Sequence, residues 1–302
     1  APLEATIPAL MAVDREARPD DARTALRMLD QTRPLPVSIS PMTVVRLVET
    51  ACLGDGWLNQ CAFAPDGRLL ALATSRGIEL WDTSIWQRIR FLDRHTASVH
   101  AVAWHPDGLL LASASSDATV RLWQPDGTLV QVLYGHTYRV RAVAWNPQGT
   151  LLASASDDGT IRLWRTDGSP MATLQRDHIF CTRTLAWSPD GRLLASASQE
   201  KVVVWSTSGN LYLVFRGHSR TVNAVAWSPD GRTIASASAD HTVRLWQLDG
   251  TRRRLFDEHR ASVQTVAWRP DGQAIASASA DGTVRVWQPE GHLRQVVESV
   301  QD

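Results

Sequence analysis

Tryptophans stand at positions 81, 123, 164, 205, 246 and 287, separated by 42, 41, 41, 41 and 41 residues. A second aromatic series, Phe63, Trp104, Trp145, Trp187, Trp227 and Trp268, keeps step with the first. A period held through six copies restricts the chain to architectures in which one unit is laid beside itself. Each copy must then bury its apolar surface against a neighbour of nearly the same sequence.

The copy "VNAVAWSPDGRTIASASADHTVRLWQLDG", residues 222–250, shows what the unit contains. "VNAVAW" alternates apolar residues with smaller or polar ones, as a strand with two unlike faces does. "SPDG" follows, in which proline presets one turn dihedral and glycine accepts a positive φ. "TIASAS" and "TVRLW" are the next two strands, joined around Asp240, and the pair Asp249–Gly250 is a hairpin signal leading into an outer strand, "RRRLF". Four antiparallel strands recurring about every 41 residues make an all-β chain of propeller blades. The "SAS" runs fit this arrangement, because small side chains let neighbouring blades approach closely.

A histidine, a serine and an aspartate accompany the tryptophan in four of the units: His95, Ser113, Asp117 and Trp123; His136, Ser154, Asp158 and Trp164; His218, Ser236, Asp240 and Trp246; His259, Ser277, Asp281 and Trp287. His to Asp is 22 residues and His to Trp is 28 in every one of them. Ser, His and Asp together can make a hydrolytic triad. Recurrence once per structural unit favours a structural role instead, with the indole N–H, the hydroxyl, the imidazole and the carboxylate satisfying one another between buried surfaces.

With these residues in view, the chain resembles the WD-repeat β-propeller family over residues 43–299. That resemblance implies the hydrogen-bonded His-Ser-Asp-Trp tetrad just described, and four-stranded blades. The Trp-Asp dipeptide that names the family stands only at Trp81–Asp82. Repeat four departs, with Glu200 where Asp belongs and a shortened turn, so its tetrad is expected to be incomplete around His178. Repeat one has Gly54 in place of the histidine. Six sets of inner strands are present but seven candidate outer strands, because "VVRLV" at 44–48 precedes the first set and "LRQVV" at 293–297 follows the last. Six blades are expected, with 44–48 filling the outer place of the last blade, as the family implies; a truncated seven-bladed ring is the alternative.

Residues 1–32 have another character. Leu3, Ile7, Leu10 and Met11 fall at the spacing of an amphipathic helix, and Pro19 stands near the start of a second helix bearing Ala22, Leu26 and Leu29. Three prolines, Pro34, Pro36 and Pro41, mark residues 33–42 as a linker. The helical segment reads either as a cap on the propeller or, through Leu10, Asp14, Arg18, Pro19 and Leu26, as similar to the C-terminal end of a bacterial eukaryotic-like Ser/Thr protein kinase domain. Arg15 departs from that pattern, where proline is usual. No Gly-rich phosphate loop, strand lysine, catalytic loop or DFG sequence occurs in the chain, so it carries no kinase machinery of its own.

Charge and cysteine content narrow the function. Thirty-one basic and 31 acidic residues cancel in 302, which gives no global field toward nucleic acid or an anionic membrane. Cys52, Cys61 and Cys181 follow no CxxC spacing, so neither a disulfide framework nor a zinc site is expected, and a reducing cytoplasm fits. No apolar run reaches the length of a membrane span and no signal segment opens the chain, which begins at Ala1 as a piece of a longer protein would. The reading is a monomeric, cofactor-free, metal-free scaffold that binds protein, with the regulatory propeller of a bacterial kinase as parent context. A sensor propeller of a STAND-type nucleotide-binding regulator and a propeller hydrolase or lyase are the alternatives. The resemblance places partners on the loop before each innermost strand and on that strand's first residues. Those positions are Trp57, Asn59, His100, Tyr138, Arg139, Arg141, Phe180, Arg183, Asn223 and Gln264. Arginine forks onto carboxylate or phosphate, so an acidic or phosphorylated protein segment is the expected ligand.

Overall fold

The computed structural model describes residues 57–175 and 182–298. Within them the chain forms 24 strands and no helix. Blade 1 holds β1 (Leu58–Phe63), β2 (Leu69–Thr74), β3 (Ile78–Asp82) and β4 (Gln87–Leu92), and blade 2 holds β5 (Val99–Trp104), β6 (Leu111–Ser115), β7 (Val120–Trp123) and β8 (Leu129–Leu133). Blade 3 follows with β9 (Val140–Trp145), β10 (Leu151–Ser156), β11 (Thr160–Arg165) and β12 (Pro170–Gln175), and blade 4 with β13 (Thr182–Trp187), β14 (Leu193–Ser198), β15 (Lys201–Ser206) and β16 (Leu211–Arg216). Blade 5 is β17 (Val222–Trp227), β18 (Thr233–Ser238), β19 (Val243–Gln247) and β20 (Arg252–Phe256), and blade 6 is β21 (Val263–Trp268), β22 (Ile275–Ser279), β23 (Thr283–Trp287) and β24 (Leu293–Glu298). Each blade is a four-stranded sheet paired in chain order, and its neighbouring strands run antiparallel.

The turns follow the sequence signals. In "SPDG" of blade 5, Gly231 sits at φ +69°, its N–H bonded to the Ser228 carbonyl at 2.9 Å, while Ser228 Oγ donates to Asp230 Oδ1. A side chain at that φ would be strained, which is why the position is glycine. The hairpin between β3 and β4 differs: Trp86 takes φ +50° there, in a turn one residue longer than its counterparts.

Blades pack face to face through the small residues of the second strand. Ala112, Ala114, Ala153, Ala155, Ala195, Ala197, Ala235 and Ala237 are all 0% exposed. Against Ala71, Ala73, Ile78 and Leu80 of blade 1 lie Val99, Val102, Trp104, Leu111 and Trp123 of blade 2, and an equivalent set recurs at each later junction, with Thr182 and Leu185 at the two valine positions of blade 4. An indole N–H stitches four of the five junctions. Trp104 donates to the Ala62 carbonyl at 3.1 Å, Trp187 to Ala144 at 3.0 Å, Trp227 to Ala186 at 3.0 Å and Trp268 to Ala226 at 3.3 Å. Trp145 is the exception: its Nε1 is buried with no acceptor, and its ring meets His105 edge-on at 4.7 Å.

Two expectations about the ends need correction or fall outside view. The outer strand of blade 6 is β24, the strand that follows in the chain, rather than the segment 44–48 expected there. The physical reason is local connection: the turn before β24 closes through Gly291 N–H to Gln288 O at 2.9 Å, and a short hairpin loses far less chain entropy than a contact across the whole sequence. The helical segment 1–32, the linker 33–42 and residues 44–48 themselves lie outside the described residues. The series of blades also has two unlike ends. Innermost strands pack in the order β1, β5, β9, β13, β17, β21, and no packing of that extent joins β21 to β1.

Candidate functional site

The four tetrads share one geometry. In blade 2, His95 Nδ1 lies 2.7 Å from Asp117 Oδ2, His95 Nε2 2.8 Å from Ser113 Oγ, and Trp123 Nε1 donates to the same Oγ at 2.8 Å. Blades 3, 5 and 6 repeat this at 2.7–2.9 Å with His136, Ser154, Asp158 and Trp164, with His218, Ser236, Asp240 and Trp246, and with His259, Ser277, Asp281 and Trp287. The neutral tautomer with hydrogen on Nδ1 satisfies every atom: Trp donates to Ser, Ser donates to Nε2, and Nδ1–H donates to the carboxylate. Donor directions match those of a hydrolytic triad, but the serines differ decisively. Ser113, Ser154 and Ser236 are 0% exposed and Ser277 is 1% exposed, each oxygen already holding an indole N–H, so no substrate carbonyl can reach them.

Electrostatics keep the tetrads in that form. Burial pushes His95, His136 and His259 below the ordinary imidazole value despite the neighbouring carboxylates. Burial alone would raise the Asp117 carboxyl; hydrogen bonds from His95 and Thr119 override it and hold the group well below the usual range. Asp158, Asp240 and Asp281 are held down in the same way, each accepting from the threonine two residues on, Thr160, Thr242 or Thr283, at 2.6 Å.

Blades 1 and 4 solve the same problem differently. In blade 4 the Trp205 indole donates to Ser196 at 3.0 Å and the Ser196 hydroxyl turns to the Val203 carbonyl at 3.2 Å. Glu200 is exposed, and His178 lies outside the described residues. In blade 1, where Leu72 replaces the serine, the Trp81 indole donates to Glu79 Oε2 at 2.9 Å, and Arg88 Nη1 reaches Glu79 Oε1 at 3.3 Å. Glu79 is fully buried. Sequence reasoning missed this acceptor, although an acidic residue two before the tryptophan, where most other repeats have arginine, was the visible signal.

The innermost strands start at one end of the blades, and the proposed partner residues gather there. Arg141 forks onto Asp157 Oδ2, with Nε and Nη2 both at 2.8 Å, so its charge is compensated. His100 Nε2 lies 2.7 Å from Ser116 Oγ; burial and the Arg141 and Arg139 charges push its pKa down, against Asp157. Arg139 and Arg183 are exposed, as is Tyr138, at 61%. Asn59 and Asn223 are committed to neighbouring blades: Asn59 Nδ2 donates to Ser98 Oγ at 3.1 Å and Val99 O at 2.7 Å, and Asn223 Nδ2 to Ser262 Oγ at 3.1 Å and Val263 O at 2.8 Å. Gln264 is exposed, Trp57 is 83% exposed, and Phe180 lies outside the described residues. The structure therefore brings His100, Arg139, Arg141 and Asp157 into one electrostatic group, ties down the two asparagines, and leaves Arg139 and Arg183 exposed over blades 3 and 4, with Arg220 and Arg260 exposed in the equivalent loops of blades 5 and 6. Among the described residues no group of three or more His, Cys, Asp or Glu could hold a metal ion, and no helix is long and apolar enough to cross a membrane.

No curated protein matches the chain in a whole-sequence comparison. The family model described as WD domain, G-beta repeat, matches residues 86–124, 127–165, 168–206, 209–247 and 250–288. The matched windows run from the end of one outer-strand hairpin to the next tetrad tryptophan, and the first takes in only the outer strand of blade 1, the blade whose histidine and serine positions hold Gly54 and Leu72. Five matches over more than half of the sequence, on six blades of one repeated geometry, place the chain in the WD-repeat family of β-propellers.

Proposed function

We propose that this WD-repeat propeller is a non-catalytic scaffold that captures an acidic or phosphorylated protein segment at the starts of its innermost strands, over blades 3 and 4. Propellers of this family are generally protein-interaction scaffolds. The observation that carries the finer reading is the split between Arg141, neutralised by Asp157, and the exposed Arg139 and Arg183, which keep their charge in a chain with no net charge. Guanidinium groups fork onto carboxylate or phosphate oxygens, and an exposed aromatic such as Tyr138 supplies the apolar contact that anchors interfaces. The parent context we favour is the regulatory C-terminal propeller of a bacterial Ser/Thr kinase in the cytoplasm. Its support is the short motif of Leu10, Asp14, Arg18, Pro19 and Leu26.

An array of acidic, phosphorylated and neutral peptides tests the site. Acidic or phosphorylated peptides should bind in preference to neutral ones, weaken with added salt, and lose about tenfold or more in affinity in the Arg139→Glu, Arg183→Glu double variant at unchanged thermal midpoint. Binding that ignores both charge reversals would remove this surface from consideration.

A further inference from the structure

Each innermost strand ends in a tight turn, and at two junctions that turn is filled by a side chain of the blade before. His105 of blade 2 donates from Nε2 to the Gly149 carbonyl of blade 3 at 2.8 Å, and Gln148 of blade 3 donates from Nε2 to the Asp190 carbonyl of blade 4 at 3.0 Å. A Cβ built on Gly149 would strike the His105 ring, and one on Gly191 the Gln148 amide. Between blades 1 and 2 both fillers are missing. Ala64 stands at the place of His105 and Asp66 at that of Gln148, and a Cβ on Gly108 would meet nothing nearer than Pro65 Cδ at 3.6 Å. What remains is a cleft of about 420 Å³, with apolar walls from Leu69, Leu109 and Pro125 and carboxylates from Asp66 and Asp107.

The cleft is short of donors. Blade 1 closes its own turn with Thr83, whose Oγ1 donates to the Gly67 carbonyl at 2.6 Å and whose N–H donates to the Arg68 carbonyl at 3.0 Å. Pro125 takes that position in blade 2 and has neither a hydroxyl nor an N–H, so the Gly108 and Leu109 carbonyls forgo both bonds. Asp107 Oδ1 accepts from the Leu109 N–H at 2.8 Å and lies 2.6 Å from His105 Nδ1, which leaves Oδ2 as an acceptor. Asp66 accepts from the Arg68 N–H at 3.0 Å, while the Arg68 guanidinium stands off at 3.9 Å with its side chain 86% exposed, a pair that solvent screens. Leu109 is 65% exposed at a place where the other repeats carry Arg68, Thr150, Arg192, Arg232 and Gln273.

We propose that this cleft is a docking site for an arginine side chain of a partner protein. Acceptors that lack donors call for a cation, and apolar walls call for an aliphatic stem behind it. A guanidinium directs several N–H groups in one plane, toward two carboxylates and a carbonyl, while its methylene stem packs on Leu69, Leu109 and Pro125. Lysine offers a similar stem but a compact, strongly hydrated head, which fits a flat set of acceptors less well. The cleft lies at the ends of the innermost strands and the arginine surface at their starts, so neither reading depends on the other.

A fluorescent pentapeptide with arginine at its centre serves as the probe, compared by anisotropy with the same peptide carrying lysine, citrulline or alanine there. The arginine peptide should bind one to one, about tenfold or more tighter than the citrulline and alanine peptides and severalfold tighter than the lysine peptide. Leu109→Arg puts into the cleft the residue that blades 1, 4 and 5 carry, and Pro125→Thr returns the donors of blade 1. Each should weaken binding about tenfold or more at an unchanged thermal midpoint, while Arg139→Glu with Arg183→Glu leaves it unaltered. In Leu109→Cys the new thiol should be alkylated readily in the isolated monomer and more slowly with the arginine peptide present. Four results overturn the proposal: a Leu109→Cys thiol already protected in the isolated monomer, an alanine peptide bound as tightly as the arginine peptide, binding indifferent to both Leu109→Arg and Pro125→Thr, or a dimer of the chain that Leu109→Arg dissociates.

Discussion

The tetrad histidine is the residue whose loss has the clearest consequence. It joins the serine hydroxyl to the aspartate carboxylate across the buried space within the blade. Removing it in His218→Ala leaves Ser236 and Asp240 without their imidazole partner, at a cost of about 1–3 kcal/mol for stranded buried groups, measurable as a lower urea midpoint. An opposite effect is expected next to the aspartate. The residue after it takes a left-handed conformation: Gly159 and Gly282 do so freely, at φ +80° and +78°, but Ala118 and His241 do so at +65° and +71°. Ala118→Gly relieves that strain and should stabilise by roughly 1 kcal/mol. The tetrads were legible in the sequence because four residues at constant spacing recur in four repeats. Glu79 was not, because blade 1 replaces the missing serine with an acceptor from a different strand, and a single occurrence has no period to reveal it. Likewise Arg139 and Arg141 look equivalent as letters; only the fold places Asp157 beside one of them.

Among the elements, blade 4 stands apart because Glu200 stands where its tetrad would have aspartate. Its tryptophan and serine keep their bond, its glutamate points to solvent, and the buried Thr182 Oγ1 at the start of β13 has no partner among the described residues. Local opening follows the number of buried interactions that must break. Amides of β13 and β14 should therefore exchange hydrogen faster than those of β9 and β10 or of β17 and β18, whose tetrads are whole. Equal protection of the three blades would contradict this. Strands and turns of the repeat could be read directly, since alternation and the "PDG" signal both survive in almost every copy. The outer strand of blade 6 could not, since "VVRLV" and "LRQVV" carry the same alternation and only the chain connection distinguishes them. The turn at Trp86 breaks the rule in a different way. A bulky side chain at positive φ where other blades have glycine is a local cost that nothing in the apolar pattern announces.

At the scale of the whole molecule the tetrads act together, and they set how the fold responds to acid. His95, His100, His136 and His259 all have folded-state pKa values pushed below the ordinary 6.5, chiefly by burial. An unfolded chain binds protons on these rings as the pH falls through about 6.5, while the folded chain resists. Stability is then complete above that value and lost as the pH drops toward the folded pKa values. Asp117, Asp158, Asp240 and Asp281 are held below the ordinary 3.8, so their contribution is present above 3.8 and lost at lower pH. Both groups of residues titrate with the same sign, and neither offsets the other. The urea midpoint should accordingly be flat between pH 8 and about pH 7, fall between about pH 6.5 and 5, and fall again below about pH 4. Acid also protonates the Nε2 that accepts the serine hydroxyl, so the first decline should be smaller in a variant that replaces His95 and His136 with glutamine. A midpoint that rises on going from pH 7 to pH 5 would show that the imidazoles are stabilised in their charged form, and that the proton order along the Trp, Ser, His and Asp chain runs the other way.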